Sequence, residues 1–188
     1  MKGAIIFKGR YGATDQYAQW LGQELQLPVL DADAVNAGLL AQYDFVIAGG
    51  SVYVGKLQNR NWLRRFCDQL TGKKLFLFIV CATPQTEKEK LNTILRTNIP
   101  PVLLDRFDIY FLQGRLIKNK LSWMDRLILK MGASFEKDPE RKKAMLNDFD
   151  KVKKENIYSL VQAVNAYRKG EEKEIYYEKV TPGAANNN

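Results

Sequence analysis

The residues best suited to chemistry follow the first apolar run of the chain, where a glycine-bearing turn leads into a helical pattern. The turn reads Lys8, Gly9, Arg10, Tyr11, Gly12, Ala13 and Thr14. Backbone N–H groups at such a helix N-terminus attract phosphate, and a threonine hydroxyl there donates to a phosphate oxygen or caps the helix. The spacing fits neither a nucleoside-triphosphate P-loop nor a dinucleotide fingerprint. The turn predicts a phosphate site, with a ligand-free glycine loop capped by threonine as the alternative.

Two later loops also carry candidate contacts. One, at residues 49–55, offers Ser51, Tyr53, Val54 and Gly55, and the other, at residues 81–85, offers Ala82 and Thr83. Both follow apolar runs, so in a parallel sheet they lie at the same edge as the phosphate turn. The ring of Tyr53, between glycines, suits stacking on a flat heterocycle, although such a ring also serves for simple packing.

A long segment, residues 115–150, separates the last predicted strand from the last predicted helix. It far exceeds a usual loop of about 2–6 residues. Ser122 and Asp125 have capping-box spacing and Gly132 is suited to end a helix, so the segment predicts one. One face of that helix carries Leu121, Met124, Leu127, Ile128 and Met131.

Two interpretations of this helix stay open. Either it covers the domain with its apolar face, or residues 115–131 contact a membrane surface or an acidic substrate, with Trp123, Arg126 and Lys130 as the contacts. Arginine and lysine favour both anionic lipids and carboxylates.

Composition narrows the chemistry further. The chain has no histidine, which excludes histidine triads and histidine metal sites, and Cys67 and Cys81 form neither a CxxC pair nor a metal spacing. We therefore expect no metal site, no catalytic side chain and two reduced buried thiols in a cytoplasmic protein. The net charge of +8 calls for anionic partners. We find no nucleic-acid-binding module.

Apolar runs and helical patterns alternate along the chain. Continuous runs predict strands at 3–7, 43–48, 75–81 and 107–112, with a weaker strand at 28–30. This order predicts an α/β fold with a doubly wound, five-stranded parallel sheet of order 2-1-3-4-5. Helices are expected around residues 14–25, 63–70, 91–95 and 152–164. The domain spans 1–170, with the insertion at 115–150 and a polar tail at 171–188, whose residues 181–188 we expect to be disordered.

The three loops, in this order, resemble those of flavodoxin, which holds flavin mononucleotide (FMN) at these positions. A closer resemblance is to the flavodoxin-like, menaquinone-dependent protoporphyrinogen IX dehydrogenases, whose phosphate turn has Arg, Gly and Thr at the places of Arg10, Gly12 and Thr14. The segment GGSVYVGKL resembles their second loop, and SWMDRLILKM resembles their insertion. The likeness runs from residue 2 to about residue 168.

This resemblance implies an FMN-dependent oxidoreductase of haem biosynthesis that oxidises a porphyrinogen and passes the electrons to a quinone, peripheral to the inner face of the membrane. Two alternatives stay open. One is an electron-transfer flavodoxin that docks a redox partner protein, which usually needs an acidic surface rather than a net charge of +8. The other is a binding or regulatory module that has lost FMN, an alternative that the hydroxyl-poor turn keeps open.

Overall fold

The computed structural model describes residues 1–135 and 137–171, without the side chains of residues 140, 141, 144 and 145. Five strands form the main sheet, and a short sixth strand pairs with the end of one of them. Their bounds are β1 (Gly3–Lys8), β2 (Val29–Asp31), β3 (Phe45–Tyr53), β4 (Lys56–Leu57), β5 (Lys74–Cys81) and β6 (Phe107–Gln113).

The five main strands lie in the order β2-β1-β3-β5-β6, and every neighbouring pair is parallel. This is the predicted order 2-1-3-4-5 once the short β4, which pairs antiparallel with β3, is set aside. All five predicted strands are confirmed. The apolar runs predicted the central strands correctly because a parallel sheet covered on both faces buries most side chains of β1, β3 and β5.

The helices cover both faces of the sheet. They are α1 (Ala13–Leu25), α2 (Ala37–Leu40), α3 (Arg60–Arg65), α4 (Cys67–Thr71), α5 (Lys88–Asn98), α6 (Pro101–Leu104), α7 (Trp123–Phe135), α8 (Pro139–Leu146) and α9 (Tyr158–Lys169). Alternate strand residues point to opposite faces and form two cores. Ile5, Ile47 and Phe78 pack with Tyr17 of α1 and Leu160 of α9. Ile6, Val46 and Leu77 pack with Leu40, Leu63 and Leu103 on the other face.

Several predicted bounds differ from the structure. Strand β3 continues through the predicted loop as far as Tyr53, because β4 folds back to pair with its end. The helix predicted over 63–70 is two helices that meet at Phe66. Val152 precedes the last helix, which begins with a 3-10 turn at Lys154–Ile157. Cys81 is buried and Cys67 half-buried, and both are free thiols.

The insertion emerges from the sheet through a small antiparallel ribbon. Its strands, β7 (Arg115–Leu116) and β8 (Phe149–Asp150), hold the two ends of the segment together. The helix α7 is the predicted one, but it passes Gly132 and continues to Phe135. In the part of the chain that the structure describes, no helix combines the length and the apolarity that crossing a bilayer requires. The predicted tail, apart from Glu171, lies outside the described residues.

Candidate functional site

The phosphate turn lies between the end of β1 and the start of α1. Gly12 adopts a left-handed conformation, with a φ of 81°, and its carbonyl accepts the first helical hydrogen bond, from Gln16. No side chain caps the N-terminus of this 13-residue helix. The positive end of the α1 dipole is therefore available to an anion beside residues 9–13.

Thr14 is the only hydroxyl-bearing residue of the turn that is fully buried, with 1% of its surface exposed. Its Oγ1 has no hydrogen-bond partner within the described residues. A Cβ on Gly9 would lie 2.7 Å from the Thr14 Cβ and 2.9 Å from Oγ1, so only glycine lets the turn wrap this closely around the threonine. A buried hydroxyl without a partner costs about 1–3 kcal/mol, and a phosphate oxygen would satisfy it.

Lys8 points away from the turn, toward the neighbouring strand β2. Its Nζ lies 2.6 Å from Asp33 and 3.1 Å from Asp31. The hydrogen bond that it donates to Asp33 is the main reason why the pKa of Lys8 is raised. Lys8 was predicted to belong to the phosphate turn, but two carboxylates engage its ammonium group, so it does not supply charge to the turn in this arrangement.

Arg10 connects the turn to the insertion. Its Nη2 lies 3.0 Å from Oδ2 of Asp125 and donates a 3.2 Å hydrogen bond to Oδ1. The Asp125 carboxylate, 4% exposed, also accepts a short hydrogen bond from the Tyr53 hydroxyl. The Arg10 guanidinium lies over the ring of Tyr53, 4.3 Å from its centroid, and 5.7 Å from that of Tyr11. One carboxylate of α7 thus holds side chains from two of the predicted cofactor loops.

The second loop ends in a tight hairpin. Val54 and Gly55 form its tip, and both have positive φ, 48° and 69°. Asn98 of α5 supports the hairpin, because its side chain accepts from the Leu57 N–H and donates to the Gly55 carbonyl. Ser51 and Tyr53 are half-buried on the β3 side, whereas Val54 is exposed.

The third loop faces the second across a shallow cleft of about 390 Å³. Val52, Gly55 and Thr83 contribute to its walls, together with Glu89, Lys90, Thr93 and Ile94 of α5. Ala82 is exposed beside it. Burial raises the pKa of the Cys81 thiol, which donates a weak hydrogen bond to the Thr83 carbonyl. Of the residues predicted in the second and third loops, Gly55 and Thr83 therefore line one cleft at the carboxyl edge of the sheet.

The structure contradicts one of the two interpretations of the insertion helix. Ser122 accepts the Asp125 N–H at 3.1 Å, as the capping spacing predicts, but the Asp125 side chain turns to Arg10 instead. The described apolar residues of α7 from Trp123 to Phe135 are exposed except Leu129 and Ala133. The interpretation of α7 as a cover that buries leucine and methionine against the domain is therefore wrong, because the buried face is the one that carries Asp125.

The three predicted contact residues of the insertion differ in their surroundings. Trp123 is 75% exposed, and Lys130 is exposed as well. Arg126 folds back and donates to the carbonyls of Lys118 and Asn119, which fixes the 3-10 turn before α7. Sequence reasoning missed the role of Asp125. The only signal was an acid, the sole one in α7, in an otherwise basic and apolar helix.

Among the described residues, no group of three or more histidine, cysteine, aspartate or glutamate side chains is arranged to hold a metal ion. The described turn instead offers backbone N–H groups, a buried hydroxyl and one guanidinium. These groups fit a phosphate ester. The cleft of about 390 Å³ lies at the same edge of the sheet.

Comparison with known proteins gives a family. Residues 4–143 match the flavodoxin domain. Oxidised flavodoxin 1 from Bacillus cereus is 23% identical, with 72% of this chain and 97% of that chain covered and a TM-score of 0.43. Oxidised flavodoxin 2 from the same organism is 19% identical, with 60% and 84% covered and a TM-score of 0.47. The sheet order and the family match confirm the flavodoxin-like α/β fold.

A protein of unknown function from Methanocaldococcus jannaschii is 28% identical over 87 residues. The match covers 45% of this chain and 57% of that protein, so the chain spans little more than half the length of this curated relative.

Proposed function

The chain belongs to the flavodoxin domain family, and on that premise we propose that it binds FMN and transfers electrons, with the cofactor's phosphate at residues 9–14. The observation that carries the proposal is the buried Thr14 hydroxyl, which has no partner among the described residues at the uncapped N-terminus of α1. A phosphate at this point would accept from the hydroxyl and from the backbone N–H groups of the turn.

The turn's own residues would divide the work of holding the phosphate. Gly9 permits the close approach to Thr14, and Gly12 supplies the left-handed conformation that turns the backbone into α1. Arg10 adds positive charge at the mouth of the turn, although Asp125 neutralises part of it. The flavin, when bound, supplies the redox chemistry itself, and the protein contributes binding, orientation and electrostatics.

The cleft between the second and third loops suits the ring system. Val52, Gly55 and Thr83 line it. Backbone N–H groups of the two loops would be the donors to the polar rim of the ring system. Tyr53 stands at the boundary between this cleft and the turn, with its ring under Arg10. With Arg10 in place, one face of Tyr53 is covered by the guanidinium, so stacking on a flavin would use its other face or require Arg10 to move.

A second candidate function is a more specific form of the first. The exposed insertion helix, which reaches the phosphate turn through Asp125, favours a flavodoxin-like protoporphyrinogen IX dehydrogenase that delivers electrons to a quinone over a simple electron carrier. The porphyrinogen ring and the quinone tail are large apolar groups that suit the exposed apolar face of α7, and the porphyrinogen's propionates would suit its basic residues. For the simple carrier, the positive net charge calls for a redox partner with an acidic docking surface.

Titration of the apo-protein tests the cofactor proposal. The fluorescence of FMN should be quenched when it binds to the protein. FMN should also bind at least about tenfold more tightly than riboflavin, because a charge-assisted contact to phosphate contributes roughly 1.5–3 kcal/mol. Equal affinity for the two flavins would contradict a phosphate site at the turn. Protein that takes up neither would point to a binding module without a cofactor.

The enzymatic candidate needs a separate assay. The FMN-loaded protein should oxidise protoporphyrinogen IX anaerobically when menaquinone is supplied, and the rate should depend on the quinone. Bound flavin without this turnover would leave the electron carrier as the function.

A further inference from the structure

The helix α7 presents its apolar face to solvent. Ten large apolar side chains are exposed in the part of the chain that the structure describes, and six of them belong to this one helix. They are Trp123, Met124, Leu127, Ile128, Met131 and Phe135, with exposed fractions from 37% to 81%. Helical spacing places all six on one side, opposite Asp125 and Ala133, which are the buried residues of the helix. A continuous exposed patch of this kind marks an interaction surface.

The exposed charges on α7 and in the 3-10 turn directly before it are positive. The only acid in α7 is Asp125, which is buried against Arg10, so the helix shows solvent only apolar, small and basic groups. Lys118 and Lys120 are exposed just before it, and Lys130 lies at the border of its apolar face. Residues 115–150 contain nine basic and six acidic residues, an excess of three positive charges.

From these observations we propose that α7 lies flat on an anionic lipid bilayer, with its apolar face among the acyl chains and its lysines at the headgroups. Its 13 residues span about 20 Å, too short to cross a bilayer but suitable for lying in the interface. Trp123, at the start of the helix, is an aromatic residue of the kind that settles at headgroup level, and Phe135 extends the apolar face at the other end. A protein partner would need an acidic rim around an apolar groove. An anionic bilayer instead offers negative headgroups and an apolar interior along the whole length of the helix.

The Asp125 contacts give this surface a fixed relation to the cofactor loops. Because the carboxylate engages both Arg10 and Tyr53, the buried side of α7 rests on the phosphate turn and the second loop. A bilayer under the opposite side of α7 would therefore have the proposed flavin site one helix thickness away. The inference goes beyond the proposed function and does not depend on it, because vesicle binding requires no cofactor.

Vesicle flotation of the full chain tests the proposal. The protein should float with vesicles of phosphatidylcholine and phosphatidylglycerol and much less with phosphatidylcholine alone, and added salt should weaken binding. The double variant Leu127→Glu with Met131→Glu should lower the partition coefficient at least about tenfold, since each buried apolar side chain contributes roughly 1.5–3 kcal/mol. Val102→Glu is the matched control, because Val102 is 57% exposed on α6 and should leave binding unchanged.

The charge contribution is tested with Lys120→Glu and Lys130→Glu, rather than with Arg126, which supports the turn before α7. These changes should weaken binding to the anionic vesicles about tenfold. Trp123 gives a direct readout, because its emission should shift to the blue with anionic vesicles and the shift should vanish in Trp123→Phe.

Three results would overturn the proposal. The first is that the wild-type chain does not float with the vesicles, and the second is that the Leu127 and Met131 double variant floats as well as the wild type. The third is that the wild type does not bind vesicles but forms a dimer, which the double variant converts to a monomer. The last result would identify the face as a contact between two copies of the chain. Flavin content is measured on the same samples, so failure of vesicle binding and failure of flavin binding remain distinguishable.

Discussion

The Arg10 guanidinium and the Asp125 carboxylate lie 3.0 Å apart, although 115 residues separate them in the chain. The pair connects the turn after the first strand with a helix inserted after the last one. Asp125 is almost fully buried, whereas 42% of the Arg10 side chain is exposed. The contact therefore holds α7 in place while leaving the arginine accessible to an anion at the turn.

The first prediction concerns this pair. Asp125→Asn should release Arg10 for the phosphate and remove a negative charge near it, so we expect FMN to bind roughly tenfold more tightly. The same change should loosen α7, with an unfolding free energy lower by about 1–3 kcal/mol and faster tryptic cleavage at Lys118, Lys120 and Lys130. Flavin titration and limited proteolysis measure the two effects.

Tyr53→Phe is the companion variant, because it removes one hydrogen bond to Asp125 and keeps the ion pair. Its effect on FMN affinity should be smaller than that of Asp125→Asn. Weaker FMN binding by Asp125→Asn would show that Asp125 positions Arg10 for the phosphate rather than competing for it.

The second prediction separates ligand binding from folding at Thr14. Thr14→Val keeps the shape and removes a buried hydroxyl that has no partner in the described structure. The apo-protein should be as stable as the wild type or more stable by up to about 1 kcal/mol, while FMN affinity falls about tenfold and riboflavin affinity does not change. Thr97→Val, on the exposed side of α5, should change none of these. Loss of stability with unchanged FMN affinity would make Thr14 a structural residue only.

The third prediction uses the strained hairpin tip. Val54 has a φ of 48° and is 60% exposed, so it bears the cost of a left-handed conformation without gaining much burial. Asparagine tolerates that conformation better than a β-branched residue does. Val54→Asn should raise the unfolding free energy by about 1 kcal/mol in denaturant titrations. Val102→Asn, equally exposed on α6, should give no gain, and an equal gain there would remove the strain argument.

The fourth prediction follows from Cys81. Its thiol pKa is raised in the folded state, chiefly by burial, above the 9.0 of an ordinary thiol. The folded state therefore keeps this proton where the unfolded state loses it, so the contribution is complete below pH 9.0 and is lost as the pH rises through the folded value. The stability advantage of the wild type over Cys81→Ala should be smaller at about pH 10.5 than at about pH 8. An advantage that does not change with pH would contradict the assignment.

The strands were predictable because a local property, burial on both faces, determines them. The same holds for the turn, where glycine and threonine positions follow from the local entry into α1. The partners of charged side chains were not predictable in this way. Lys8 pairs with Asp31 and Asp33 because β2 lies beside β1, and Asp125 reaches Arg10 across the whole domain.

The orientation of α7 shows the same limit. Its periodicity indicated an amphipathic helix but gave no reason to bury the polar side. The orientation follows from a tertiary ion pair, which turns the carboxylate inward and leaves Met124, Leu127 and Met131 exposed to solvent. Sequence periodicity alone does not distinguish an ordinary covering helix from one that turns its carboxylate toward its own domain and most of its large apolar side chains toward solvent.

The most direct test of the central claim is a visible absorption spectrum of the purified protein, before and after FMN is added and the excess removed. We expect flavin bands that persist in the wild type at about one FMN per chain and that are lost in Gly9→Ala, whose added Cβ would lie within 3 Å of Thr14. A colourless wild-type protein, or a Gly9→Ala variant that retains as much FMN as the wild type, would contradict a phosphate site at this turn.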